Sequence, residues 1–422
     1  MYTQRHTINS SMDISGAVLF ILALALSNNG SPRNVFHVYG KEFNVLDYGA
    51  ISDGQTENSK AFGEAWNAAC GDPTPTPQLI VPSGHTFLVN PIMFRGPCQA
   101  PGIDFAIAGT IIAPDSPGFW DGKDASQWLV FEGVKGLKVD GYGNGTIDGR
   151  GKAWWDQSCR YNPQLKTCTT LAPTALRFLS CDGSSVRNVG LKDSAQAHVL
   201  ITGCNGFDVN NVVIMSPESS PNTDGIHIQD TQHLSISNSS FGVGDDCISI
   251  GDRIRDINIQ NVKCGPGHGI SIGSLGRSGN YVQVERIFVT NAYFTGSTNG
   301  ARIKTWQVGR GYVRNIRFEN LTFDSVKNPI IIDQNYCEVR DACKEQETGV
   351  QISQVVYRGM SGTSSTEIAI NLNCSSSVPC HGILMEDIHL TSAMAGKEVT
   401  TYCRNAHGNV TDVAPDSTCL LD

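Results

Sequence analysis

Four polar clusters in this 422-residue chain hold the side chains that could do chemistry. They are Ser220-Pro221-Asn222-Thr223-Asp224-Gly225, Gly244-Asp245-Asp246-Cys247, Gly267-His268-Gly269 and Arg302-Ile303-Lys304. Carboxylates gathered in one cleft repel one another. At least one of Asp224, Asp245 and Asp246 would then hold a proton at mildly acidic pH while another stayed ionised. That division of labour can protonate a leaving oxygen and activate a water. Arg302 and Lys304 share a face if their segment is a strand, and they suit an anionic substrate, with the guanidinium gripping a carboxylate through two bonds. The glycines beside His268 would admit close backbone approach by a ligand. Taken singly, each cluster has a plainer reading. Asp-Asp beside Gly is common in turns and calcium loops, and Arg-Ile-Lys is by default a solvated strand face. The chemistry exists only if the fold brings the clusters together.

Their spacing suggests how it would. Asp224 to Asp246 and Asp246 to His268 are both steps of 22, and His268 to Arg302 is 34. Around them a pattern recurs, with Asn188, Asn211, Asn238, Asn261, Asn291 and Asn320 each among apolar residues at steps of 23, 27, 23, 30 and 29. Ile352-Ser353-Gln354-Val355 is a degenerate seventh copy. Repeats of about 20–50 residues signal a solenoid or array. The units are β-branched or alternating and broken by Gly, Asn or Ser, which is strand-and-turn composition. A parallel β-helix fits, with rungs about 4.7–4.9 Å apart. Inward Val, Ile, Leu and Phe would stack into one core, and inward Asn could form an amide ladder along the turns. Propeller blades, at about 40–45 residues, are longer than these steps. The four clusters would then lie on successive rungs as one patch. Asp245 and Asp246 are neighbours, so both can face the cleft only if the backbone bends there, as Gly242 and Gly244 allow.

Net charge is −9, which argues against a general nucleic-acid surface. Residues 1–30 read as a signal peptide, with Arg5 before an apolar run from Gly16 to Leu26 that is short for a membrane span. No stable membrane anchor is expected, and the mature protein, residues 31–422, is expected to be a secreted monomer. The 14 cysteines support an oxidising compartment. The close pairs 159/168, 337/343, 374/380 and 403/419 read as disulfides, while Cys181 and Cys204 fit buried thiols. No paired CxxC motif points to structural zinc. Asn144, Asn238, Asn320, Asn373 and Asn409 stand in glycosylation sequons. From Asn58 to Ala69, Ala61, Phe62, Ala65 and Trp66 recur at helical spacing, predicting a short helix that caps the N-terminal end of the solenoid. Segments 116–128 and 152–172 read as loops, with Trp154 and Trp155 as buried anchors rather than sugar-stacking rings. After Cys374 the repeat weakens, and that part is expected to cover the other end.

On the four clusters, together with Asp333-Gln334-Asn335-Tyr336-Cys337, the chain resembles the polygalacturonases of glycoside hydrolase family 28, from about Phe43 to Cys419. The resemblance implies an all-β, single-stranded, right-handed parallel β-helix. It also implies hydrolysis, with inversion, of the α-1,4-galacturonosyl bonds of pectin or polygalacturonate in the cell wall. It casts Asp245 as general acid and Asp224 and Asp246 as the pair that holds and activates water. His268 would support the acid, and Asn222, Arg302, Lys304 and Tyr336 would bind galacturonate. It implies no metal or organic cofactor. Segments such as Phe87-Leu88-Val89-Asn90-Pro91 resemble pollen-type enzymes of plants and lean toward exo action, with endo action as the alternative. A rhamnogalacturonan hydrolase, a calcium-dependent pectate lyase and a non-catalytic wall-binding protein are the rival readings.

Overall fold

The computed structural model describes residues 40–160, 164, 171–337, 343–344 and 346–420. The signal-peptide expectation for residues 1–30 and the half of the 159/168 pair at Cys168 fall outside the described residues.

The chain coils into a right-handed parallel β-helix. One wall is a stack of eleven parallel strands running from Ile92–Arg95 to Thr400–Arg404. The remaining strands pair in a second, corner-bent ladder of eighteen. Register is kept from rung to rung. In the first wall Ile226, Ile248, Ile270, Ala301 and Ile330 lie over one another, as do Ile228, Ile250, Ile272, Ile303 and Ile332. All ten are fully buried, and each isoleucine contributes about 1.5–3 kcal/mol by leaving water. The alternate residues of the same strands, His227, Ser249, Ser271 and Arg302, form a column on the outer face.

The repeated asparagines turn the corners. Asn188, Asn211, Asn238, Asn261, Asn291, Asn320 and Gln354 all have φ between 53° and 57°, a left-handed conformation that Asn tolerates better than most residues. An amide ladder does form: Asn211 donates to Asn188 at 2.9 Å, and Asn261, Asn291 and Asn320 donate to Asn238, Asn261 and Asn291 at 3.3 Å. It runs along the outside of the corner, not the inside as the sequence reading expected. The left-handed residue throws its side chain outward while its apolar neighbours turn in.

The predicted cap is an α-helix, Ser59–Cys70. Trp66 reaches from it onto Phe94, Phe105 and Phe131, with ring centroids 5.2, 6.4 and 5.5 Å away, and a Cys70–Cys98 disulfide ties it down. The far end differs from expectation. Strands Cys380–Ser392, Thr400–Arg404 and Ala406–Ala414 continue the ladder. Closure falls to the short turn Thr418–Leu420 and the Cys403–Cys419 bond. The two segments read as loops also contain structure: a 3-10 turn over Pro117–Trp120, a strand from Gln127 and a helical turn over Lys152–Trp155. Trp120 and Trp154 are buried edge to face at 5.4 Å. Cys337–Cys343 and Cys374–Cys380 pair as expected, and Cys181 and Cys204 are buried thiols. Among the described residues no helix is long and apolar enough to cross a membrane.

Candidate active site

A cavity of about 990 Å³ opens on the outer face of the eleven-stranded wall. Asn222, Asp224, Asp245, Asp246, His268, Arg302, Lys304 and Tyr336 all line it, so the four sequence clusters converge. Asp224, Asp246 and His268 each precede the strand of their rung by two residues: Ile226, Ile248 and Ile270 are in register. The 22-residue steps therefore place these three in one column. Arg302 belongs to the neighbouring column, opposite Ser271, and its rung is longer, with Ile270 paired to Ala301 31 residues on; the two together make the longer step.

Asp245 and Asp246 do not sit on a strand. Gly244 and Asp245 form a bend ahead of Ile248–Ile250, and that is how two adjacent carboxylates reach one cavity. The bend needs a glycine, since a Cβ on Gly244 would lie 2.0 Å from the Ser220 carbonyl oxygen. The Cys247–Cys264 disulfide, which the sequence reading did not pair, pins the same turn to the end of the next rung's strand, where Cys264 stacks on Phe241. Gly269 serves packing rather than the ligand approach expected of it: a Cβ there would lie 2.2 Å from the Asn299 carbonyl oxygen on the next rung.

Each carboxylate has different partners. Asp224 Oδ2 accepts a bond from Ser249 Oγ at 2.6 Å. Burial and the charges of Asp245 and Asp246 push its pKa well above the ordinary value, against the Ser249 bond and the Lys304 charge. Ser249 spends its proton on Asp224, so His227 Nδ1, 2.7 Å from Ser249 Oγ, is the donor in that contact. Burial lowers the His227 pKa to about 4, so the ring is neutral.

Asp246 is held by cations. Lys304 Nζ donates to its Oδ2 at 2.9 Å, Ser271 Oγ donates to Oδ1 at 2.8 Å, and Arg302 Nη2 also donates to Oδ1. Arg302 Nε donates to Ser271 Oγ at 2.7 Å. The side chains of Asp246, Lys304 and Arg302 are only 3%, 10% and 13% exposed. These two cations, which the sequence reading assigned to galacturonate binding, are thus also engaged internally with Asp246. Lys304 Nζ also lies 5.5 Å from the Tyr336 ring centre, and Trp306 packs edge-on against that ring at 5.3 Å.

Asp245 has the densest set of donors. Its Oδ1 accepts from His268 Nδ1 at 2.8 Å and from the Asp246 backbone N–H at 2.9 Å. Its Oδ2 accepts from Arg160 Nη1 at 2.8 Å and from Asn222 Nδ2 at 3.3 Å. Burial works to raise its pKa, but the His268 bond and the charges of His268, Lys304 and Arg160 overcome it and hold the carboxyl well below the usual range. The proton balance among the cleft's own side chains is therefore the reverse of the role division that the resemblance implies: Asp224, not Asp245, is the carboxyl driven toward its protonated form.

Ligand atoms of Asp245, Asp246 and His268 lie within 4.8 Å of one another, a metal-like spacing. Arg160, Arg302 and Lys304 already place positive charge against these carboxylates, so the donor set does not fit a divalent cation as well as it fits the side-chain cations.

Sequence reasoning missed His227, Ser249, Ser271, His198 and Arg160. The first three were legible in the repeat, as the polar centres of Ile226-His227-Ile228, Ile248-Ser249-Ile250 and Ile270-Ser271-Ile272. His198 is buried beneath the Asp224 turn, with Nδ1 3.0 Å from the Asp224 carbonyl oxygen and Nε2 2.9 Å from Ser216 Oγ. Burial lowers its pKa to about 4, so it serves as a neutral prop. Arg160 comes from 85 residues upstream of Asp245 and carries no local signal.

Residues 70–415 match the family described as glycosyl hydrolases family 28. The chain is 43% identical over 405 residues to polygalacturonase-2 of Solanum lycopersicum, covering 96% of this chain and 87% of that one. Solved structures share the fold. An endo-xylogalacturonan hydrolase from Aspergillus tubingensis superposes with a TM-score of 0.73 at 23% identity, over 87% of this chain and 98% of that one. A hyperthermoactive exopolygalacturonase from Thermotoga maritima does so with a TM-score of 0.69 at 20% identity, over 84% and 87%.

Proposed function

The chain belongs to glycosyl hydrolases family 28, and from that premise we propose that it hydrolyses the α-1,4-galacturonosyl linkages of polygalacturonate, with inversion, as a secreted enzyme of cell-wall pectin. One observation carries the reading: three carboxylates and the cations Arg302 and Lys304 line a single open cleft. An anionic sugar chain needs that combination, with positive charge to seat its carboxylates and paired acids to break its bonds.

In this mechanism Asp245 donates a proton to the leaving glycosidic oxygen. Asp224 and Asp246 hold a water on the opposite side of the sugar and draw off its proton as it attacks the anomeric carbon. His268, bonded to both the side chain and the backbone of Asp245, orients the acid. Asn222, Arg302, Lys304 and Tyr336 seat the galacturonate. The closed ion pairs of Arg302 and Lys304 with Asp246 imply that a uronate carboxylate shares these cations rather than finding them vacant.

The test is incubation of the purified protein with de-esterified polygalacturonate in the presence of a chelator, with Asp245→Asn alongside. New reducing ends without unsaturated, ultraviolet-absorbing products, lost in the variant, establish the hydrolase. Activity that requires calcium and yields unsaturated ends would replace this reading with a lyase. Monomer as sole product marks exo action, and a ladder of oligomers marks endo action.

A further inference from the structure

Arg160 is the one Asp245 partner that follows neither from the repeat nor from the roles proposed above. It lies beyond the helical turn Lys152–Trp155 and lines the same cavity as Asp245. Its side chain is 41% exposed, against 10% and 13% for Lys304 and Arg302. It is therefore the most accessible to solvent of the three cations bound to the carboxylates.

The donors around Asp245 differ in what they permit. A proton on Oδ1 is compatible with His268, because a neutral imidazole can present Nδ1 as an acceptor. A proton on Oδ2 is compatible with Asn222, whose amide can turn its oxygen inward. Arg160 has only donors and does not lose its charge. While its Nη1 sits 2.8 Å from Oδ2, that oxygen cannot carry a proton facing the cleft. The other charged groups near Asp245 are Asp224 from the preceding rung, Asp246 in the same bend, His268 from the next rung and Lys304 from the strand Asn299–Trp306, with Arg302 of that strand lining the same cavity on Asp246. Lys304 and Arg302 are tied to Asp246, and His268 meets Oδ1 and not Oδ2. For a proton to sit on Oδ2, facing the cleft and not His268, Arg160 is the partner that has to move.

We infer that Arg160 is a further uronate-binding residue of this cleft, and that a galacturonate carboxylate seated there draws the guanidinium off Asp245 and so frees Asp245 to take up the proton it must donate. The inference rests on the hydrolase reading above. The proton comes from solvent onto Asp245 Oδ2 and passes to the glycosidic oxygen. Asp245 is left as a carboxylate, which Arg160 recaptures as product leaves. The acid is thus armed by an anionic sugar and not by a neutral one. The low Asp245 pKa, set against burial first by His268 and Lys304 and then by the Arg160 charge, is consistent with this arrangement.

The experiment is a titration of the Asp245 carboxyl by ¹³C NMR of the aspartate-labelled full chain, with its signal assigned by loss in Asp245→Asn. In Arg160→Gln the midpoint is expected to rise by about 1–3 pH units, the usual effect of removing a neighbouring cation. Arg160→Lys, which keeps the charge, is expected to stay near wild type. Adding D-galacturonate to the wild type should move the midpoint upward, and galactose should not. Kinetically, Arg160→Gln should lower kcat/KM on polygalacturonate at least tenfold, mostly through KM, and move the alkaline limb of kcat/KM to higher pH while leaving that of kcat in place. An Asp245 midpoint unchanged in Arg160→Gln, or moved equally by galactose and galacturonate, overturns the inference. If the wild type makes no reducing ends, the hydrolase reading fails, yet the titration still decides whether Arg160 controls Asp245.

Discussion

Two columns of polar side chains run along this solenoid, and both come from the same repeat. One is the corner column Asn188, Asn211, Asn238, Asn261, Asn291 and Asn320, which repeats a single neutral residue and bonds each amide to a neighbour in the ladder. The other is the cleft column Asp224, Asp246 and His268 with Asp245 beside it, where every rung carries a titratable group. The corner lies at the surface, and its amides are neutral. The cleft buries charges that repel one another and then offsets them with Arg160, Arg302 and Lys304. Stacking alone makes a ladder. Chemistry arises where stacking forces unlike demands onto neighbouring rungs.

The widest separation between the columns is in turnover. Asp245→Asn keeps the shape of the side chain but removes its ability to pass a proton, and is expected to lower kcat on polygalacturonate by about 10²–10⁴-fold, measured as reducing ends. Asn261→Ala, on the corner, is expected to leave kcat unchanged. A comparable loss from the corner variant would mean that the two columns are not functionally distinct.

Stability separates them next. Lys304→Met removes one partner of the buried Asp246 ion pair and should cost about 3–5 kcal/mol in denaturant unfolding, because the carboxylate stays buried with less compensation. On the outer surface, Arg358 donates to Glu386 at 2.6 Å. That pair is exposed, and Arg358→Gln should leave the unfolding midpoint nearly where it was, with any difference fading in salt. An equal cost for the two would show that burial of the Asp246 pair has little energetic weight.

Asp224→Asn should divide activity from stability. Its carboxyl is raised in the fold, so ionising it opposes folding. The sign follows from the direction: below the unfolded carboxyl pKa both states are protonated and there is no cost, while above the raised folded value the full cost is present. The variant should therefore lose turnover yet unfold about 1–3 kcal/mol harder at pH 7, the range for a poorly compensated buried polar group. That gain should vanish near pH 3. A loss of stability at pH 7 would mean that the Ser249 bond outweighs the burial of Asp224.

How much of this was legible beforehand follows the same division. The corner column could be read directly, because one residue type at regular steps is visible in a single sequence. What could not be read was its direction, since only the left-handed φ decides that an Asn points out. The Asp224, Asp246 and His268 spacing gave the cleft, because 22 residues is one turn of the coil there. The Asp245–Asp246 bend was inferred from the adjacent glycines, and Gly244 does pack against the Ser220 carbonyl. The proton balance was not legible. It depends on which donors surround each oxygen, and Arg160 reaches Asp245 from outside the repeat. The Cys70–Cys98 and Cys247–Cys264 bonds, with partners 28 and 17 residues apart, escaped because nothing in the sequence pattern shows which of these cysteines the coil brings together.

The smallest effect concerns why the corner repeats asparagine at all. Asn261 has φ 54°, donates to Asn238 at 3.3 Å and accepts from Asn291 at 3.3 Å. Two explanations compete, the amide bonds and the left-handed backbone. Exposed amide bonds are weak, each worth about 0.5–1.5 kcal/mol net at most, whereas the left-handed conformation costs an ordinary L-residue about 1–2 kcal/mol and glycine nothing sterically. Asn261→Ala loses both contributions, and Asn261→Gly loses only the bonds while paying some backbone entropy. If the corner conformation governs, glycine should be the milder substitution, with alanine costing about 1–2 kcal/mol in urea unfolding and neither changing turnover. Equal damage from the two would assign the repeat to the ladder bonds. The corner would then resemble the cleft, with both columns held by side-chain contacts between rungs and only the charge of those contacts setting them apart.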